Sequence, residues 1–193
     1  MTIKRQNTVI LLFHFQMDKM KKTITLSILF LLFLQARSQS VSIASIRINN
    51  TIPYSIHLSN LLKSNVTIDS IIKVPKIMDA SQADSLVYIG KTYFEYYSKS
   101  RNCQLKTVIF DKKVISIRLG KNSLSAKTTF QDLTMIFPID CKLTKPISVY
   151  GEKKPYETCS VGVTDGKGNP WDMRIVFFLQ NDQLIRVDLW EPV

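Results

Sequence analysis

Two six-residue runs share one pattern: Val114-Ile115-Ser116-Ile117-Arg118-Leu119, and 70 residues later Leu184-Ile185-Arg186-Val187-Asp188-Leu189. Alternation at every second residue is the period of a strand with one buried face. Ile115, Ile117 and Leu119 would occupy one face in the first run, and Ile185, Val187 and Leu189 the same face in the second. Each run follows a polar turn, Asp111-Lys112-Lys113 or Asn181-Asp182-Gln183, and an apolar strand, Leu105 to Phe110 or Met173 to Leu179. Each half is therefore expected to end in a β-hairpin.

Upstream, Leu58 and Leu61 lie 72 residues before Phe130 and Leu133, both pairs at the i, i+3 spacing of a helix. Thr128 and Gln131 form a Thr-x-x-Gln capping box for the second helix, which should stop at Phe137-Pro138. Strand-like runs lie between: Ile68 to Val74, Lys91 to Tyr97, Ile147 to Tyr150 and Tyr156 to Val163. Asp79 to Gln82 could start one further helical turn. The expected fold class is α+β, strand-rich, with two tandem units of short helix packed on an antiparallel sheet. The units would span 39–120 and 128–193, joined by a polar linker, 121–127.

The start of the chain reads as a targeting segment. Asp18 to Lys22 form a basic n-region, Thr23 to Leu34 an apolar h-region, and Ala36-Arg37-Ser38 a small-x-small cleavage site, so 17–38 is expected to be a signal peptide. These twelve mostly apolar residues span about 18 Å, short of the roughly 30 Å bilayer core, which favours cleavage over a permanent span. Residues 1–16 then read as an over-extended start. The remainder would be a soluble secreted or periplasmic domain with no membrane span.

Beyond Ser38 the chain carries 20 Lys and Arg against 14 Asp and Glu, a net charge of +6. No Lys/Arg block of five or more remains, so nucleic acid is not an expected partner, while an anionic protein is permitted. Cys103, Cys141 and Cys159 all fall in this region. An oxidising compartment allows one disulfide among them, with three possible pairings. A single histidine beyond Ser38, His57, and the absence of Cys-x-x-Cys or His-x-His spacing leave no metal site or cofactor to expect.

Nor does an active site emerge. His57 lies between Ile56 and Leu58 at an expected helix, far in sequence from any cysteine nucleophile. Asp165, Asp172, Asp182 and Asp188 sit at turns or polar strand positions. Gly166-Lys167-Gly168-Asn169-Pro170 lacks the spacing and following helix of a phosphate loop and reads as a hairpin turn. No catalytic residue is assigned. Phe94, Phe110, Phe177 and Phe178 are expected in the core, and Trp171 at a sheet end. The candidates for recognition are aromatic and charged residues opposite the apolar strand faces: Tyr93, Tyr97, Arg118, Arg186, Asp188 and Trp190.

Two exported units of short helix plus antiparallel sheet, closing on Val114 to Leu119 and Leu184 to Trp190, resemble the β-lactamase-inhibitor proteins and the small outer-membrane assembly lipoproteins of similar layout. The likeness covers most of residues 55 to 191. It lacks the lipidated cysteine with which the lipoproteins would begin, so the soluble, protein-binding branch is the relevant one. The resemblance implies recognition of another protein across an open sheet face, by inhibition or immunity, or alternatively in envelope scaffolding or assembly. A lysozyme-type target is disfavoured, since such enzymes are commonly basic and so is this chain.

Overall fold

A computed structural model describes residues 40–75, 82–149 and 154–191. The expected extra helical turn at Asp79 to Gln82, all but its last residue, and the whole of 17–38 lie outside the described residues. The described residues belong to the unit Ser38–Val193. It is built from strands β1 Val41–Ser42, β2 Arg47–Ile48, β3 Ile52–Pro53 and β4 Ser55–His57, then helix α1 Leu58–Leu62. Next come β5 Ser70–Lys73, β6 Ser85–Ile89, β7 Thr92–Tyr97, β8 Asn102–Ile109, β9 Ile117–Leu119 and β10 Asn122–Leu124. Helix α2 Phe130–Ile136 precedes β11 Lys145–Ile147, β12 Tyr156–Thr164, β13 Pro170–Gln180 and β14 Gln183–Trp190.

Ten of these strands form one sheet with the path β1-β12-β13-β14-β8-β7-β6-β5, while β4 adds to β8 and β11 to β12. All pairings in it are antiparallel except the two-residue β1–β12 contact. A second sheet has the order β10-β9-β2-β3. The class is thus α+β and strand-rich, as expected. In each half a short helix is followed by four strands that pair in succession, α1 with β5 to β8 and α2 with β11 to β14, and β8 and β14 join antiparallel at the middle.

The expected equivalence of the two closing strands does not hold. Leu184 to Leu189 lies in β14, central in the large sheet, whereas only Ile117–Leu119 is a strand in the first run and it belongs to the small sheet. The cause is a polar anchor. Asp111 accepts backbone N–H bonds from Lys91, Lys113 and Val114 (2.7–2.9 Å), and Asn49 Oδ1 accepts those of Ile115 and Ser116. This network turns the chain away from β8, and β9 then pairs with β2. Ile115, expected to face inward, is 63% exposed. Only the second half ends in the expected hairpin, where Asn181 and Asp182 take φ of 50° and 64°, the left-handed pair of a tight two-residue turn.

The helices form near the expected places. Leu61 and Leu133 are fully buried, as a single apolar stripe on a two-turn helix requires. The capping box of α2 sits one residue later than Thr128 and Gln131: Thr129 accepts from Asp132 N, and the Asp132 carboxylate accepts from Thr129 N. Phe137 ends the helix before Pro138 and stacks on Phe177 at 5.6 Å. Thr128 O accepts from Leu184 N and Asp182 O from Phe130 N, pinning α2 to the β13–β14 turn. One face of the sheet, with Phe94, Cys103, Leu105, Phe177, Val187 and Leu189, joins the core on the helix side.

Candidate functional site

The opposite face of the large sheet carries the candidate residues. Strand alternation fixes it: Val187 pairs with Phe177 on the core side, so Arg186, opposite Phe178, and Asp188, opposite Val176, point the other way. Trp190 lies across from Arg174. On β8, Thr107 is opposite both Asp188 and Tyr93, and these residues continue the same face.

At its centre is a charge cluster tied to the sheet. The Arg186 guanidinium donates to both carboxylate oxygens of Asp188, each at 2.7 Å, and lies 5.1 Å from the centre of the Phe178 ring. Thr107 Oγ1 donates to Asp188 Oδ1 at 2.9 Å. Burial disfavours the charged guanidinium, but the bonds and charge of Asp188 outweigh it and raise the Arg186 pKa. This planar, bidentate pair holds a cation stiffly. A second cluster lies where β4 replaces β14 beside β8. Tyr97 OH donates to Glu95 Oε2 at 2.8 Å, and Lys106 reaches Glu95 and Glu191 at 3.6 and 3.9 Å. Burial, then the charges of Glu191 and Glu95, raise the Tyr54 pKa; burial and the bond to Glu95 do the same for Tyr97. Both phenols therefore remain protonated donors.

Beside the Arg186–Asp188 pair runs a groove of about 630 Å³. Its floor is the outward side of β12, β13 and β14, with Thr158, Ser160, Val176 and Phe178 at the base and Asp188 and Trp190 at one side. Its other wall is the segment from Asp140 through Leu143 to Ile147. Leu143 is 75% exposed, Trp190 51% and Ile147 42%, an unusual concentration of large apolar side chains in solvent. The wall is fastened at both ends. Cys141 is bonded to Cys159 on β12, and Thr158 Oγ1 donates to Lys145 O at 2.8 Å where β11 pairs with β12.

Of the six expected contacts, Tyr93, Arg186, Asp188 and Trp190 come together, Tyr93 lying near enough to act electrostatically on Arg186. Tyr97 is on the same face in the second cluster. Arg118 is not part of it: it sits on β9 of the small sheet, opposite Arg47, with its Nε buried and unpartnered. Phe178 is buried as expected but on this outward face, beneath Arg186, with Tyr156 against its edge. The groove residues Arg174, Val176, Leu143, Lys145 and Ile147 went unrecognised in the sequence. For the first two a signal existed, since they alternate with the apolar Met173, Ile175 and Phe177; for the wall residues none did.

The cysteines, His57 and the glycine-rich turn also have defined places. The disulfide is Cys141–Cys159, and Cys103 is a buried free thiol whose pKa burial pushes up to about 11. His57 caps α1, accepting from Ser59 N, beside a hydroxyl rather than a nucleophilic cysteine. The β12–β13 turn is Asp165 to Asn169, in which Asp165 accepts from Lys167 N and Asn169 N, and Pro170 opens β13. Among the described residues no cluster of three His, Cys, Asp or Glu is placed to hold a metal, and no helix is long and apolar enough to cross a membrane. Compared with protein-family models, curated proteins and solved structures, the chain finds no match.

Proposed function

We propose that this chain is an exported protein-binding module that acts by occlusion, as an inhibitor or immunity protein does, through the outward face of its large sheet. The observation that carries the reading is Trp190, half exposed beside the rigid Arg186–Asp188 pair and an apolar groove. Tryptophan and arginine are the side chains most often found at interface hot spots, and here they stand on strands that require no ordering when a partner arrives. A role in envelope scaffolding or assembly would use the same face and is the second reading, favoured by no separate feature.

Two further elements belong to the proposal. The halves α1 with β5 to β8 and α2 with β11 to β14 are tandem copies; the common order of elements and the antiparallel β8–β14 junction support this, with β8 rather than β9 as counterpart of β14. The likeness to the β-lactamase-inhibitor layout is kept on that footing. Export follows from the n, h and c regions of 17–38, and a disulfide in a chain of this size fits an oxidising compartment. Mass analysis of the secreted product should find a start at or near Gln39; an intact Met1 or Met17 on a membrane-bound form refutes export.

The binding test is a pull-down of the mature protein from its own envelope extract, followed by titration of the captured partner. Arg186→Ala and Trp190→Ala should each weaken binding by about 1–2 kcal/mol with the fold intact. Binding unchanged by both substitutions rejects the surface.

A further inference from the structure

The groove beside Trp190, which the protein-binding reading uses only as an apolar neighbour of that residue, has a size and a charge of its own. Its size falls within the roughly 300–1,000 Å³ of small-ligand pockets, and its wall and floor present Leu143, Ile147, Val176 and Phe178. Four charged residues line it. Asp188 is neutralised by Arg186, which leaves Arg174 and Lys145 against Asp140, an excess of one positive charge. Arg174 spends Nε and one Nη on Ser160, at 3.0 and 3.1 Å, and neither it nor Lys145 forms an ion pair among the described residues.

The backbone at the wall also excludes one kind of occupant. The strand β11 is only three residues long, and Pro146 at its middle has no N–H to offer a further strand. A peptide that adds to the sheet edge is thereby blocked, and recognition must come from the apolar lining and the cationic rim. We propose that this groove binds a single-chain anionic amphiphile, a free aliphatic carboxylate, with the chain laid between Leu143 and Ile147 on one side and Val176 and Phe178 on the other, and the head group met by Arg174 and Lys145. The indole of Trp190, apolar in body with a polar N–H, suits the mouth of such a site.

The probe is dodecanoate below its micellar concentration, titrated against the mature protein carrying Trp171→Phe, so that emission reports Trp190 alone of the two tryptophans. Saturable change in that emission is expected. Arg174→Gln with Lys145→Gln should weaken dodecanoate at least about tenfold, as removal of charge-assisted bonds would, while leaving dodecanol unaffected. Leu143→Glu, at an exposed position that cannot endanger the fold, should abolish both. Absence of saturation, equal affinity for dodecanoate before and after the charge substitutions, or response only to anionic phospholipid vesicles overturns the proposal. The partner reading stands or falls separately, on Arg186→Ala in the pull-down, because Arg186 does not line the groove.

Discussion

Reduction of the Cys141–Cys159 bond should destabilise the domain by about 3 kcal/mol. The bridge closes a loop with a sequence separation of 18, and the loop-closure entropy removed from the unfolded chain by a cross-link of that length has this size. For a unit of about 150 to 250 residues each kcal/mol moves Tm by roughly 2–4 °C, so the reduced protein should melt about 6–12 °C lower. Thermal unfolding followed by circular dichroism, with and without reductant, measures it; the Cys141→Ala/Cys159→Ala double variant should track the reduced form. The third cysteine provides the internal control. Cys103 is fully buried and its thiol is held protonated, with roughly one in a thousand ionised at pH 8 given its pKa of about 11. It should resist iodoacetamide until the protein unfolds and should take no part in disulfide exchange. Equal melting temperatures, or a peptide map that places Cys103 in the bridge, would refute the reasoning. Because the bond also fastens the groove wall, reduction should loosen the exposed segment around Leu143 ahead of global melting, which amide exchange there would register.

Other expected outcomes concern the core, the cap and acid stability. Phe177→Ala, which removes a fully buried ring stacked on Phe137, should cost about 3–5 kcal/mol in a denaturant titration. Thr129→Ala should cost about 1 kcal/mol through loss of the capping box, with Thr128→Ala serving to distinguish the two adjacent threonines. The carboxyl pKa of Asp132 is lowered by the Thr129 backbone bond, that of Asp165 by Asn169 and that of Asp69 by Lys113. A folded pKa below the unfolded one means that these groups stabilise the fold above about pH 4 and lose that contribution as pH falls through the lowered values. Melting temperature should therefore hold from neutrality down to about pH 4 and drop below it; a fall centred near pH 6 would contradict the assignment.

What the sequence disclosed and what it hid divide along contact range. Local signals were legible: the helical spacing of Leu58 and Leu61, the Pro138 stop, the glycine-rich turn before Pro170 and the left-handed Asn181-Asp182 turn each act within a few residues. Hidden were the pairings that join distant segments. Val41 to His57 carries β1 to β4 in pieces of two or three residues, too short for any period to register. Of those pieces β1, β2 and β4 take their partners from β12, β9 and β8, and by capturing β9 they remove Val114 to Leu119 from the large sheet. Alternation alone gave Ile115 and Ile185 the same inward status; Asn49, 66 residues upstream of Ile115, exposes the first through a side-chain bond, and the register shift opposite Phe178 and Leu179 leaves the second half-buried with Leu184 in the core instead.

The candidate site was half legible for the same reason. Alternation assigns a face, so Arg186, Asp188 and Trp190 could be grouped from one strand, and Tyr93 followed once β7, β8 and β14 became neighbours. Arg118 satisfied the same rule on its own strand, but a face has meaning only within a sheet, and β9 lies in the other one. The groove needed more again, since its outer wall is not an alternating strand at all. Residues 140–147 are held alongside β12 by a disulfide at one end and the three residues of β11 at the other, and three cysteines allow three pairings with equal sequence support. The Cys141–Cys159 bond anchors one end of that wall and β11 the other, so its reduction bears on the groove more than on the Arg186–Asp188 pair, which is held within β14 and by Thr107 of β8.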